Sequence, residues 1–172
     1  MLLLALQPAV PAAARPLPTK KQWLADVRAA MRGSHRWLDR RVERGGGRLA
    51  IVLDIDNTAI ASHYAFPEPV RPVLRFATHA RRDGVKVSFA TARRRSELTG
   101  ITRVLGRAGY RFAAVCGRYR SESIAHGKTR CRRELERAGH TVIAMVGNRS
   151  TDFAGGHYER AFRLPSYRNR LN

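Results

Sequence analysis

Four short, nearly continuous apolar runs constrain this chain most: residues 49–53, 85–90, 112–116 and 142–146. A strand with one face in water alternates apolar and polar residues. A run that is apolar throughout needs cover on both faces, as in a parallel sheet between two helical layers. Stretches with helical spacing separate the runs, at 69–82, 94–108 and 121–138, and in the second of these Leu98, Ile101 and Leu105 share one face. A further helix is predicted over 19–44, where Leu24, Val27, Met31, Leu38 and Val42 recur, with Thr19 as its cap and Gly45-Gly46-Gly47 as its stop. A fifth short strand is predicted at 161–164. This alternation predicts an α/β three-layer sandwich with a mainly parallel sheet and right-handed crossovers. At 172 residues the chain makes one domain of this kind.

The charge balance is lopsided. There are 33 Lys and Arg against 13 Asp and Glu, a formal net charge of +20, and only four of the bases are lysines. A field of that sign attracts phosphates, nucleic acid and anionic surfaces. Arg28, Arg32, Arg36 and Arg40 stand four apart and are predicted to form one basic stripe. With 44% apolar residues the chain builds a core, which excludes a disordered tail protein.

The first residues, Met-Leu-Leu-Leu-Ala-Leu, precede small residues and suit an export signal cleaved near Ala12 to Ala14, although no Lys or Arg precedes Leu2. Residues 1–18 therefore read as a leader or signal-like segment before a domain at 19–172, and a secreted or extracytoplasmic setting follows as an expectation. The apolar run is too short to span a bilayer as a helix, so no transmembrane segment is predicted. Cys116 and Cys131 could pair, but sequence does not measure their separation, and two buried free thiols are the favoured reading.

In an open parallel sheet, ligands bind beyond the carboxyl ends of the strands. The first run leads into Asp54-Ile55-Asp56-Asn57-Thr58, the second into Thr91-Ala92-Arg93, the fourth into Gly147-Asn148-Arg149-Ser150-Thr151-Asp152. The helix after the third carries Lys128. The chain has only six Asp, at 26, 39, 54, 56, 83 and 152, and three of them fall at this edge. Carboxylates two apart on extended backbone point the same way and repel unless a cation neutralises them. A hard divalent ion such as Mg²⁺ takes oxygen ligands and keeps positions for a substrate phosphate. Asp54, Asp56, Asn148 and Asp152 are the candidate metal ligands. Thr91, Ala92, Arg93 and Lys128 are the candidate phosphate clamp. Two familiar ion and phosphate motifs are excluded. An EF-hand starting at Asp54 would need Gly and Glu where Ala59 and Ala65 stand, and a P-loop ending at Lys128 would need Gly where Glu122 stands.

Leu53-Asp54-Ile55-Asp56-Asn57-Thr58 resembles the D-x-D-x-T motif of the haloacid dehalogenase (HAD) superfamily. The chain is most similar to its acid-phosphatase branch, the class B-like, subfamily IIIB enzymes. Ser88-Phe89-Ala90-Thr91-Ala92-Arg93 resembles the second motif of that family, Gly127-Lys128-Thr129-Arg130 the third, and Val146 to Phe153 the fourth. The stretch from Gly155-Gly156 to Leu164-Pro165 is similar as well. The resemblance implies a HAD-like, Rossmannoid domain and a Mg²⁺-dependent phosphomonoester hydrolase. Asp54 would be the nucleophile that carries an aspartyl-phosphate, and Asp56 the general acid and base. Thr91 would hold phosphoryl oxygens, and Lys128 would neutralise charge. Two positions depart from the family pattern: Ala92 stands where Gly is common, and Asn148 stands for the first Asp of G-D-x-x-x-D, which removes one negative charge from the metal site.

Only residues 59–68 are left for a lid, which predicts a minimal cap and an open cleft bordered by His63, Tyr64 and Phe66. His157 is read as structural. The alternative reading is a catalytically weak HAD-like protein whose basic surface binds anionic polymers such as nucleic acid or polyphosphate. The sequence contains no aromatic-basic motif for sequence-specific recognition, and it leaves the oligomeric state open.

Overall fold

The computed structural model describes residues 16–171. The leader expectation falls mainly on residues 1–15, outside the described residues. Five strands form one sheet in the order β3-β2-β1-β4-β5, all parallel. They are β1 (Arg48–Leu53), β2 (Lys86–Arg94), β3 (Ala114–Arg118), β4 (His140–Gly147) and β5 (Arg160–Arg163). All five predicted strands are present. The helices linking them are α4 (Arg71–Arg82), α5 (Leu98–Arg107) and α6 (Ile124–Arg137), preceded by α1 (Lys20–Ala30), α2 (Ser34–Glu43) and a one-turn α3 (Ser62–Ala65).

The continuous apolar runs are used as expected. In β1, Ile51 and Leu53 join the larger core cluster with Val73, Phe76 and Val87, while Val52 turns to the other face with Cys131, Val142 and Met145. α6 covers that second face, and α4 and α5 cover the first. The chain runs outward from β1 through β2 to β3, then crosses back to β4 on the other side of β1. That reversal opens a crevice at the carboxyl ends of β1 and β4, where ligands bind in sheets of this class.

The predicted single helix over 19–44 is two. Gly33 has φ 74°, a left-handed conformation that an L side chain adopts only at a cost, and it turns the chain between α1 and α2. The four arginines are therefore shared between two helices and their turn rather than aligned on one stripe, and all four are exposed. The free-thiol expectation is also corrected. Cys116 in the middle of β3 and Cys131 on α6 face each other across the second layer and form a disulfide, with Cα atoms 5.9 Å apart. Among the described residues, no helix is long and apolar enough to cross a membrane.

Candidate active site

The site is assembled by three strand ends and braced by α6. β1 ends at Leu53, and the Asp54 amide donates to Val146 O of β4 at 2.9 Å, which fixes the Asp54 backbone beside the start of the fourth motif. Asn57 then takes φ 57°, a conformation Asn tolerates, and its side-chain oxygen accepts from the His63 amide at 2.7 Å, tying α3 to the loop. β2 continues past its predicted end to Arg94, but its pairing with β3 is interrupted between Ala90 and Arg94. Past the interruption, Ala92 and Arg93 line the crevice while Thr91 stays buried.

Lys128 reaches this edge from the first turns of α6. Its ammonium donates to Asp54 Oδ1 at 2.5 Å and also to Asp152 Oδ1. All three side chains are almost fully buried. Two carboxylates thus share one ammonium in a low-dielectric interior, and with both ionised the cluster carries one negative charge in excess. Burial, with Asp152 and Asp56 nearby, pushes the Asp54 carboxyl up to about 7 despite Lys128. Burial pulls the Lys128 ammonium down, but the two carboxylates outweigh it and hold its pKa above the usual lysine range.

Asp152 serves the architecture as well as the charge. Its second oxygen accepts from the Arg149 amide at 2.7 Å, closing a short helical turn at Ser150–Asp152. Both of its oxygens are engaged, and it lies fully buried behind Lys128. Gly147 makes this possible, because a Cβ there would collide with the Asp152 carboxyl. α6 braces the same loop: Thr129 Oγ1 donates to Ala154 O at 2.9 Å, and the fully buried Arg132 donates to the carbonyls of Asp152, Ala154 and Gly156.

Asp56 faces the crevice. Arg93 grips it with two hydrogen bonds, Nε to Oδ2 at 3.1 Å and Nη2 to Oδ1 at 2.7 Å, and Ser62 Oγ adds a third at 2.7 Å. Arg93, expected on the substrate, therefore also orients Asp56. Thr91 is buried beneath the loop, and its hydroxyl accepts from the Arg93 amide at 3.2 Å. Arg118 holds Ala92 through its carbonyl at 2.9 Å.

The residues present fit a hard divalent cation. Asn148 is buried at the end of β4, and its Oδ1 has no hydrogen-bond partner among the described residues. A buried carbonyl oxygen without a partner, on the loop that also carries Asp152, is the kind of donor a hard cation would satisfy. The side-chain donors at this edge, a carboxylate of Asp54 and Asn148 Oδ1, are oxygens, the kind of ligand a hard cation takes. Asp152, with both oxygens engaged, contributes charge from behind.

The cleft above the site encloses about 410 Å³. Its walls are not the ones expected. Tyr64 stacks on Trp23 of α1 at 5.0 Å and donates to Pro18 O at 2.7 Å, so this part of the short lid is pinned to α1. His63, Tyr64 and Phe66 do not line the cleft; Ile124, Arg149, Ser150, Thr151 and Asn169 do. Asn169 arrives because Tyr167, Arg168 and Asn169 all have positive φ and fold the C-terminal segment back, with Leu171 in the core. His157 pairs with Glu136 at 2.6 Å on the surface, a structural role as expected.

Comparison with known proteins bears on the family and the fold. The model of the HAD superfamily, subfamily IIIB (acid phosphatase), matches residues 65–169, most of the domain. The chain belongs to that family. The match begins after Asp54 and Asp56, so the membership rests on the second, third and fourth motifs and the stretch beyond them. The class C acid phosphatase from Bacillus anthracis is similar in fold, with TM-score 0.72 and 18% identity over 90% of this chain and 80% of that one. A second structure of that enzyme, with tungstate bound, gives TM-score 0.71 at 18% identity over 90% of this chain and 81% of that one. No curated protein matches the chain. As a subfamily IIIB member the protein is a phosphatase, a phosphomonoesterase by family.

Proposed function

We propose that this acid phosphatase hydrolyses phosphomonoesters through an aspartyl-phosphate on Asp54, with Mg²⁺ as its cation. The observation that carries the reading is the buried Asp54–Lys128–Asp152 cluster beside the orphaned Asn148 oxygen. Asp54, the main-chain carbonyl of Asp56 and Asn148 Oδ1 would hold Mg²⁺, which when bound screens the phosphate's negative charge against the approaching carboxylate.

The chain's own residues supply the rest. Asp54, ionised against Lys128, attacks phosphorus with one carboxylate oxygen as the ester bond to the leaving alcohol breaks. The Asp56 carboxyl gives its proton to that alcohol oxygen. In the second half Asp56, now a carboxylate, takes a proton from water as the water oxygen attacks the phosphorus of the aspartyl-phosphate. Inorganic phosphate leaves and Asp54 is restored. Arg93 and Ser62 keep Asp56 aimed into the cleft through both halves. Lys128 and Thr91 offset charge on the phosphoryl oxygens. An extracytoplasmic site of action is part of the proposal; the Cys116–Cys131 bond supports it, since disulfides persist in oxidising compartments.

The test is hydrolysis of an aryl phosphate with and without chelator, and by Asp54→Asn. Chelation and the substitution should each remove activity, the latter on the order of 10³-fold or more. Lys128 keeps Asp152 as a partner in that variant, so the fold survives. Activity that persists through both treatments overturns the reading.

A further inference from the structure

We propose that Arg149 makes this cleft selective for phosphomonoesters that carry a second anionic group. The inference rests on the phosphatase reading and deepens it by naming a substrate class.

Three cations line the cleft: Arg93, Lys128 and Arg149. Arg93 is committed to Asp56, and Lys128 to Asp54 and Asp152. Arg149 differs. Its guanidinium donates one hydrogen bond, from Nη2 to Leu171 O at 2.7 Å, and makes no ion pair among the described residues. A neutral carbonyl orients the group without cancelling its charge. The residue is anchored at both ends, since its own amide is held by Asp152 and Leu171 is fully buried. A charge fixed before the ligand arrives loses little conformational freedom on binding. Beside it, Thr151 Oγ1 is buried on the same wall and has no hydrogen-bond partner among the described residues.

The charge at this loop points the same way. Asn148, which stands for the motif's first Asp, carries no negative charge, and Arg149 beside it is positive. About 410 Å³ is more room than one phosphoryl group fills, and lies within the range of sites for small organic ligands. A substrate placing its scissile phosphate at Asp54 and Lys128 therefore has space to extend past Ile124 and set a second phosphate or carboxylate on Arg149. Arg–phosphate contacts are two-pronged and charge-assisted, which gives such a contact both strength and direction.

The test compares two substrates with one scissile ester each: methylphenyl phosphate and phosphonomethylphenyl phosphate, which adds a second anionic group. The intact enzyme should prefer the second by kcat/KM. In Arg149→Gln the ratio of the two kcat/KM values should fall on the order of 10-fold to 100-fold, and Arg149→Lys should retain more of it. A ratio unchanged in Arg149→Gln, or no preference in the intact enzyme, overturns the inference. Should Arg149→Gln fail to fold, ionic strength decides with the intact enzyme. Its preference should shrink as salt screens the contact, and a preference independent of salt counts against Arg149. Failure of the underlying reading looks different: Asp54→Asn would then remain active on both substrates.

Discussion

The arginines of α1, α2 and their turn and the lysine of α6 use the same kind of charge in opposite ways. Arg28, Arg32, Arg36 and Arg40 are exposed and make no ion pair among the described residues. Lys128 is buried and holds two carboxylates. In water an isolated cation is well solvated and costs little. In the interior each charge must be matched, and removing one leaves its partners stranded. The chain's large positive charge therefore says little about its chemistry, whereas one buried ammonium says a great deal.

Lys128→Met tests the contrast most severely. Stranding Asp54 and Asp152 should cost about 3–5 kcal/mol in urea unfolding, whereas Arg36→Gln should stay within about 0.5 kcal/mol. Equal losses would erase the distinction. Replacing Cys116 and Cys131 together by Ser should cost about 3 kcal/mol, since the bond links positions 15 apart in sequence and ties α6 to the sheet. Thermal unfolding with and without reductant measures it, and an unshifted transition would show that buried charge, not the crosslink, holds α6. Asn148→Asp restores the family's missing charge and should lower the Mg²⁺ concentration for half-activation about ten-fold, read from a metal titration of activity.

A smaller effect sits between the two extremes. Glu122 is largely buried and accepts from Arg130 at 2.7 Å and 3.0 Å and from the Tyr119 amide at 2.7 Å, which holds its carboxyl below the usual Glu range. A carboxyl lowered on folding adds stability that is fully present above its unfolded pKa and fades as pH drops through the folded one. Glu122→Gln should cost about 1 kcal/mol at neutral pH, with the difference from the intact protein shrinking on acidification. A difference that grew toward acid would reverse the assignment.

The strands and the convergence of Asp54, Asp56, Thr91, Lys128 and the fourth motif could be read in advance. Strands covered on both faces leave an unbroken apolar record, and parallel topology sends every strand end to one edge. Other features leave no such record. Nothing in the periodicity breaks at Gly33, because apolar residues recur on both sides of it. The pairing of Cys116 with Cys131 depends on where α6 lies over β3, which spacing does not encode. Tyr64 was expected at the cleft, but Trp23 claims its ring. Asn169 reaches the cleft through a left-handed turn made without glycine, so no residue type announces it. Arg149, one more arginine among so many, carries no signal in the sequence until its partners are seen.

The contact of Gly147 with Asp152 has a consequence for anyone reshaping this enzyme. Even a methyl group at 147 would push Asp152 off Lys128 and so loosen the centre from behind, far from any substrate. A mutant library aimed at new specificity should leave that glycine untouched and vary Arg149, Ser150, Thr151 and Asn169, which line the cleft and whose side chains make no ion pair with the charged cluster.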